Sequence, residues 1–308
     1  MQRHVALPKV KNEASRTELS GLAAGLVGVV IFGLTLPMTH IALEGFDRYF
    51  IGIGRAIPAA LVAALILAIT RQPVPGRESW WPLAVVSIGC IFGFPLFATA
   101  AMEHLPAAHG GVILAVLPLA TAMAGALMDG ERPSVGFWVT GAAGSLLVFA
   151  FAVIEAGGFT FQMGDLLLVA ATVGAAIGYA QSGILARQLG GWQVVSWALV
   201  FSLPFSLLAV LLFAGPVTWN APAGAWLGFF YVSLMSQFFA FFFWNTGLAL
   251  AGTAKTGQLQ LLQPFVTLIA SYFILGEAVS WRHAGFALAV VAIVALGRRL
   301  RVERSENA

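Results

Sequence analysis

Five polar side chains recur on one stretch of an otherwise apolar segment: Thr256, Gln260, Gln263, Thr267 and Ser271. Their spacings of four, three, four and four residues place all five on one face of an α-helix. Two amides and three hydroxyls break no bonds by themselves. They donate and accept hydrogen bonds, which suits them to solvating a neutral or zwitterionic solute in an apolar medium. They would equally serve as hydrogen-bonding glue between helices, and spacing alone leaves both readings open. A second mixed face, Gln237, Phe241, Trp244 and Leu248, has Asn245 beside it. It could clasp a flat apolar group and hydrogen-bond its polar end, although aromatic residues in lipid more often pack or anchor. Thr35 and Thr39 share a face, as do Tyr179 and Ser182. Arg55 is the one basic residue well inside an apolar run. A guanidinium there would bind a carboxylate bidentately, pair with carbonyls, or snorkel to the interface.

Chemistry of other kinds finds no residues here. Every Asp and Glu lies near the end of an apolar run or outside one, and this argues for neutral or zwitterionic cargo moving by facilitated diffusion or exchange. No zinc-protease His-Glu-x-x-His and no phosphate-binding Gly-x-x-x-x-Gly-Lys-Ser/Thr occurs. His104, His109 and Glu103 make at best a weak surface site. Cys90 is the single cysteine, so an intramolecular disulfide is impossible, and it reads as a small packing residue. No cofactor and no enzymatic activity are expected.

The elements that position these residues follow from composition. Of 308 residues, 59% are hydrophobic and 9% charged, and mean hydropathy is +0.90. A soluble domain carries roughly 25% charge, so an ordinary globule and a disordered chain are both excluded. An all-α polytopic membrane protein remains. Ten apolar segments of about 20 residues fall near 20–43, 49–69, 80–102, 107–128, 134–154, 163–186, 193–214, 223–249, 255–275 and 281–300. The first is too long for a cleavable leader and is expected to stay as a helix. Pro118 and Pro264 fall mid-segment, where each removes a backbone donor and clashes with the preceding turn. They are candidate hinges.

Basic residues set the orientation. With the N-terminus in the cytoplasm, thirteen of the sixteen Lys and Arg fall on that side. They lie in the N-terminal tail, at Arg71, Arg77, Arg132, Arg187 and Lys255, and in the C-terminal tail. Arg48 and Arg282 face outward. The positive-inside rule therefore puts both termini in the cytoplasm. These charges meet lipid headgroups, and nucleic acid has no place in the account.

The two halves align at an offset of 146 residues. Val86-Ser87 falls on Val232-Ser233, Pro118 on Pro264, Gly130-Glu131 on Gly276-Glu277 and Ser134 on Ser280. One residue of slippage puts Gly33 on Gly178. Five segments per half make the repeats inverted in the membrane, a signature of secondary transporters. The domain reading is a cytoplasmic tail 1–19, repeats 20–154 and 163–300, and a tail 301–308. Arg55 has no repeat counterpart, because its offset position is Phe201.

Gly33, Arg55, Pro118, Gly130-Glu131, Gly178, Pro264 and Gly276-Glu277, set in ten duplicated spans, resemble the drug/metabolite transporter superfamily. The EamA branch fits best, and the resemblance covers Gly21 to Leu300. It implies a multi-pass protein of the bacterial inner membrane that exports or exchanges small metabolites by alternating access. Within the branch the chain is most similar to the YddG-type exporters of amino acids, aromatic ones included. Other drug-like or nucleoside cargo is the alternative, and a channel-like pore a more distant one. The expected partners are a small-molecule substrate and the bilayer, with the protein as a monomer.

Overall fold

The computed structural model describes residues 8–101, 113–155, 157–158, 161–276, 281–300 and 302–304. Glu103, His104, His109, Glu277 and Ser280 lie outside the described residues. The chain is an all-α polytopic membrane protein. Eight described helical segments are long and apolar enough to cross a membrane, and two shorter apolar helices accompany them.

In chain order, α1 runs Pro8–Gly33 and resumes as Thr35–Leu43 after a turn at Leu34. Next come α2 (Phe50–Ile69), α3 (Arg77–Ala101), α4 (Leu117–Met128) and α5 (Val135–Glu155). The second half holds α6 (Met163–Leu189), α7 (Gly191–Phe213), α8 (Ala223–Ala251), α9 (Thr253–Leu275) and α10 (Trp281–Arg298). A short antiparallel pairing of Glu131–Pro133 with Val302–Arg304 joins the turn after α4 to the chain's end. It adds a two-stranded element to an otherwise helical reading.

The helix begins at Pro8, inside what the sequence reading treats as a tail. Nothing between Pro8 and Gly21 breaks a helix, and proline is well placed in a first turn. An ion pair between Glu18 and Lys255, 2.7 Å apart, ties the extension to the start of α9.

Lipid tails are as apolar as leucine, so these helices associate through close packing rather than water exclusion. Glycines make it possible. An added Cβ on Gly89 of α3 would lie 2.3 Å from the Gly174 carbonyl oxygen of α6, and one on Gly178 would lie 2.5 Å from Cys90 Sγ. On α1, Gly21 and Gly25 pack against α8 and α9, where Gly247 meets Gly25 backbone to backbone. These small residues of α1 and α6 therefore face neighbouring helices. Cys90 is buried in the α3–α6 seam.

The packing is paired across the two halves. α1 packs on α8 as α6 packs on α3, and α1 on α9 as α6 on α4. α2 meets α7, α4 meets α9 and α5 meets α10. Backbone irregularities recur as well. Wide π-helical turns occupy Ser87–Gly93 in α3 and Tyr231–Phe239 in α8. A tightened turn precedes α4, with the Val116 N–H bonding the Ile113 carbonyl, and Leu259–Leu262 of α9 is a 3-10 turn.

Those tight turns show how the two prolines are accommodated. Pro118 and Pro264 do not interrupt continuous helices. Each sits in the first turn of a fresh α-helical segment, Leu117–Met128 and Gln263–Leu275. The proline ring would strike the carbonyl four residues earlier, so the helix breaks just ahead of it. In a first turn the missing N–H leaves no bond unmade.

Candidate functional site

α4 and α9 diverge along their length. At one end they are locked together, and at the other they flank open space. The locked end carries three sets of contacts. Thr121 packs on Gly257, and its hydroxyl donates to Gln260 Oε1 at 3.4 Å. Gly125 lies against Thr253. Beyond them the Glu131 carboxylate reaches from the end of α4 to the start of α9. There it accepts the backbone N–H groups of Thr253 and Ala254 at 2.6 and 2.7 Å. Glu131 thus satisfies orphan donors of a helix that is not its own, at the positive end of that helix's dipole. Gly252, at φ 90°, leaves the carboxylate room, since a Cβ there would stand 2.6 Å from Oε1. Beside this cap, Arg187 of α6 forms an ion pair with Asp129.

Two clefts lie at the other end. The larger, about 510 Å³, lies among α1, α2, α3 and α6 and includes Thr35, Thr39, Arg55, Phe94 and Thr99. Its rim includes Asp47, Arg48, Tyr49 and Gly215. The smaller, about 340 Å³, lies between α4, α5 and α9 and includes Gln260, Gln263, Thr267 and Ser271. Leu36, Phe94 and Leu114 line both clefts and form their common wall.

Four of the five polar residues of α9 thus face one cleft. Thr267 also donates its hydroxyl to the Gly33 carbonyl at 2.7 Å, so it holds α1 and lines the cleft at once. Thr256, the fifth, is fully buried against Gly25. The 3-10 turn at Leu259–Leu262 rotates the residues after it relative to those before, which splits the face. Pro118 and Pro264 line the smaller cleft at the broken turns. Thr35 and Thr39 line the larger one; Thr35 shares a 2.8 Å hydroxyl contact with Ser236, and Thr39 donates to the Thr35 carbonyl.

The residues of α8 take another place. Trp244 is fully buried, in edge contacts with Phe32 and Tyr179. Gln237 donates to the Cys90 carbonyl at 3.4 Å, leaving its Oε1 unpartnered. Asn245 donates to the Gly191 carbonyl at 3.1 Å and ties α8 to the start of α7. These three, with Tyr179, form a packed layer and line neither cleft. Tyr179 lies within interaction range of both Arg55 and Gln260. The position related to Arg55 by the repeat, Phe201, packs against Trp80 and Trp197.

Several lining residues carry no signal in the sequence. Phe46, Phe213, Leu168 and Phe151 line the clefts. Among 24 phenylalanines, nothing in the spacing separates these from lipid-facing rings. Among the described residues no cluster of His, Cys, Asp or Glu could hold a metal ion.

The profile of the EamA-like transporter family matches this chain twice, over residues 19–156 and 162–297. The chain belongs to that family. It is 44% identical over 281 residues to an uncharacterized transporter, YdeK, of Bacillus subtilis, covering 91% of this chain and 97% of that protein. A probable terminal-alkyne amino-acid exporter of Streptantibioticus cattleyicolor is 25% identical over 290 residues, 90% of this chain and 93% of that one. An aromatic amino acid exporter, YddG, of Ancylobacter novellus is 26% identical over 225 residues, 71% of this chain and 74% of its own length. One crystal structure shares the fold, with a TM-score of 0.73 at 22% identity over 90% of this chain and 96% of that one. The family and these relatives' names indicate a transporter and not an enzyme.

Proposed function

We propose that this EamA-family transporter exports or exchanges small metabolites, amino acids first among them, by alternating access. Ten spans form two inverted five-helix halves in the bacterial inner membrane, with both termini cytoplasmic. The observation that carries the reading is the cavity between the halves, bordered by α4 and α9, which are parted at one end and locked at the other. The mated helix contacts, and the paired irregularities at an offset of 146 residues, support a two-fold relation in the membrane plane. Such a relation lets one set of parts build both an inward-open and an outward-open state. Counting Lys and Arg puts the locked end, with Arg132, Arg187 and Lys255, in the cytoplasm. The conformation is then outward-open. The names of the two amino-acid exporters among its relatives support the cargo class.

Counterflow in proteoliposomes tests this with a labelled amino-acid panel. Unlabelled substrate inside the vesicles should accelerate uptake, which a channel would not show. Gln260→Ala and Gln263→Ala should each reduce uptake about tenfold, on the order of one hydrogen bond to a bound solute. If both variants fold and transport like the wild type, the cleft on α9 is not the pathway.

A further inference from the structure

Among the described residues Arg55 is a cation without a partner. Its Nε is buried and unsatisfied, and among the described residues it takes part in no ion pair or hydrogen bond. Among the described residues the carboxylate lining the same cleft is that of Asp47, and it is already occupied. It accepts backbone N–H groups from Tyr49, Phe50 and Gly215 at 2.9, 3.0 and 3.2 Å. A guanidinium presents a planar fork of donors that fits a carboxylate bidentately. In an apolar setting an unpaired charge is costly unless something completes it. The cleft in front of Arg55 is large enough for a small solute. The hydroxyl oxygens of Thr35, Thr39 and Thr99 line the same cleft and can accept from an ammonium group. Leu36, Phe94 and Leu114 give that cleft an apolar wall.

Resting on the transport reading above, we propose that Arg55 is the carboxylate-recognition residue of the cavity. The preferred substrate is then an amino acid or similar monocarboxylate whose apolar side chain packs against Leu36, Phe94 and Leu114 in the same cleft. Amines lacking the carboxylate are disfavoured by the positive charge, and amides by the loss of the bidentate pair.

The test uses the full-length protein in proteoliposomes with L-leucine and L-phenylalanine, their amides, and the corresponding amines. The wild type should carry the acids at least tenfold faster than the amides and amines. Arg55→Gln should lose that tenfold preference, as the rates for the acids fall towards those for the amides. Arg55→Lys, which keeps the charge but not the fork, should fall between. Equal transport of acids and amides by the wild type overturns the assignment, whatever becomes of the variants. So does a folded Arg55→Gln protein that carries the acids as the wild type does. Melting temperature in detergent separates this inference from the reading beneath it. If no compound is carried, yet L-phenylalanine raises the melting temperature of the wild type and not of Arg55→Gln, the transport reading fails and the carboxylate site stands. If amines are carried in preference to acids, the transport reading stands and the carboxylate site fails.

Discussion

Glu131→Ala should unlock the end of the bundle at which α4 and α9 are joined. Its carboxylate accepts two backbone N–H groups at the start of α9, and charge-assisted bonds of this kind contribute about 1.5–3 kcal/mol each. Both bonds belong to the conformation in which this end is closed. Their loss therefore acts on the balance between states as well as on folding, and about 3 kcal/mol shifts a two-state balance by roughly a hundredfold. A cysteine placed at the buried Thr121, with Cys90 replaced by alanine, reports on the seal through labelling by a membrane-impermeant maleimide applied to the Arg132 side. Labelling should quicken by more than tenfold in Glu131→Ala. Glu131→Gln, which keeps one acceptor oxygen and loses the charge, should lie between. Labelling no faster than in the Glu131 parent would show that the cap does not hold the seal.

The second large effect concerns the seam between α3 and α6. A Cβ on Gly89 would meet the Gly174 carbonyl oxygen at 2.3 Å and the Gly178 Cα at 3.1 Å. Both are backbone atoms, so no rotamer change relieves the contact and the helices must part. Overpacking typically costs about 1–3 kcal/mol, and association in lipid depends on just this closeness. Gly89→Val should lower the melting temperature and the monodisperse yield severely, and Gly89→Ala should do so in part. Gly285→Ala is the internal control. Nothing lies within 4 Å of a Cβ there, and alanine is the better helix former by about 1 kcal/mol. A Gly89→Val protein as stable as the Gly285→Ala control would refute the close-packed seam.

Composition and apolar run length made the helical membrane architecture legible, because a bilayer imposes a length and a polarity that few other environments do. The extension of α1 back to Pro8 was not legible, since a polar helix stabilised by a distant lysine looks like a tail. The polar face of α9 was legible from spacing, and four of its five members line one cleft. Thr256 departs because a 3-10 turn changes the residue period midway, and such turns have no reliable pattern. Gln237, Trp244 and Asn245 share a region whose chemistry suits a ligand, yet they sit in a packed layer. Helical spacing identifies which residues share a face, and the tertiary fold decides whether that face meets a helix or a space. Glu131 was visible as a span-end carboxylate, but the helix it caps lies more than a hundred residues away.

On the inverted-repeat reading proposed above, Phe201 stands where a second Arg55 would, and this has a kinetic meaning. A carrier built from identical inverted halves would bind its cargo equally well from either face of the membrane. Here the charged fork stands on the side of the Asp47 rim alone, while its mate is wedged between Trp80 and Trp197. Half-saturating concentrations measured from the two faces should therefore differ. For an uncoupled carrier, detailed balance then requires the maximal rates in the two directions to differ by the same ratio. One direction would saturate early and run slowly, and the other would saturate late and run fast.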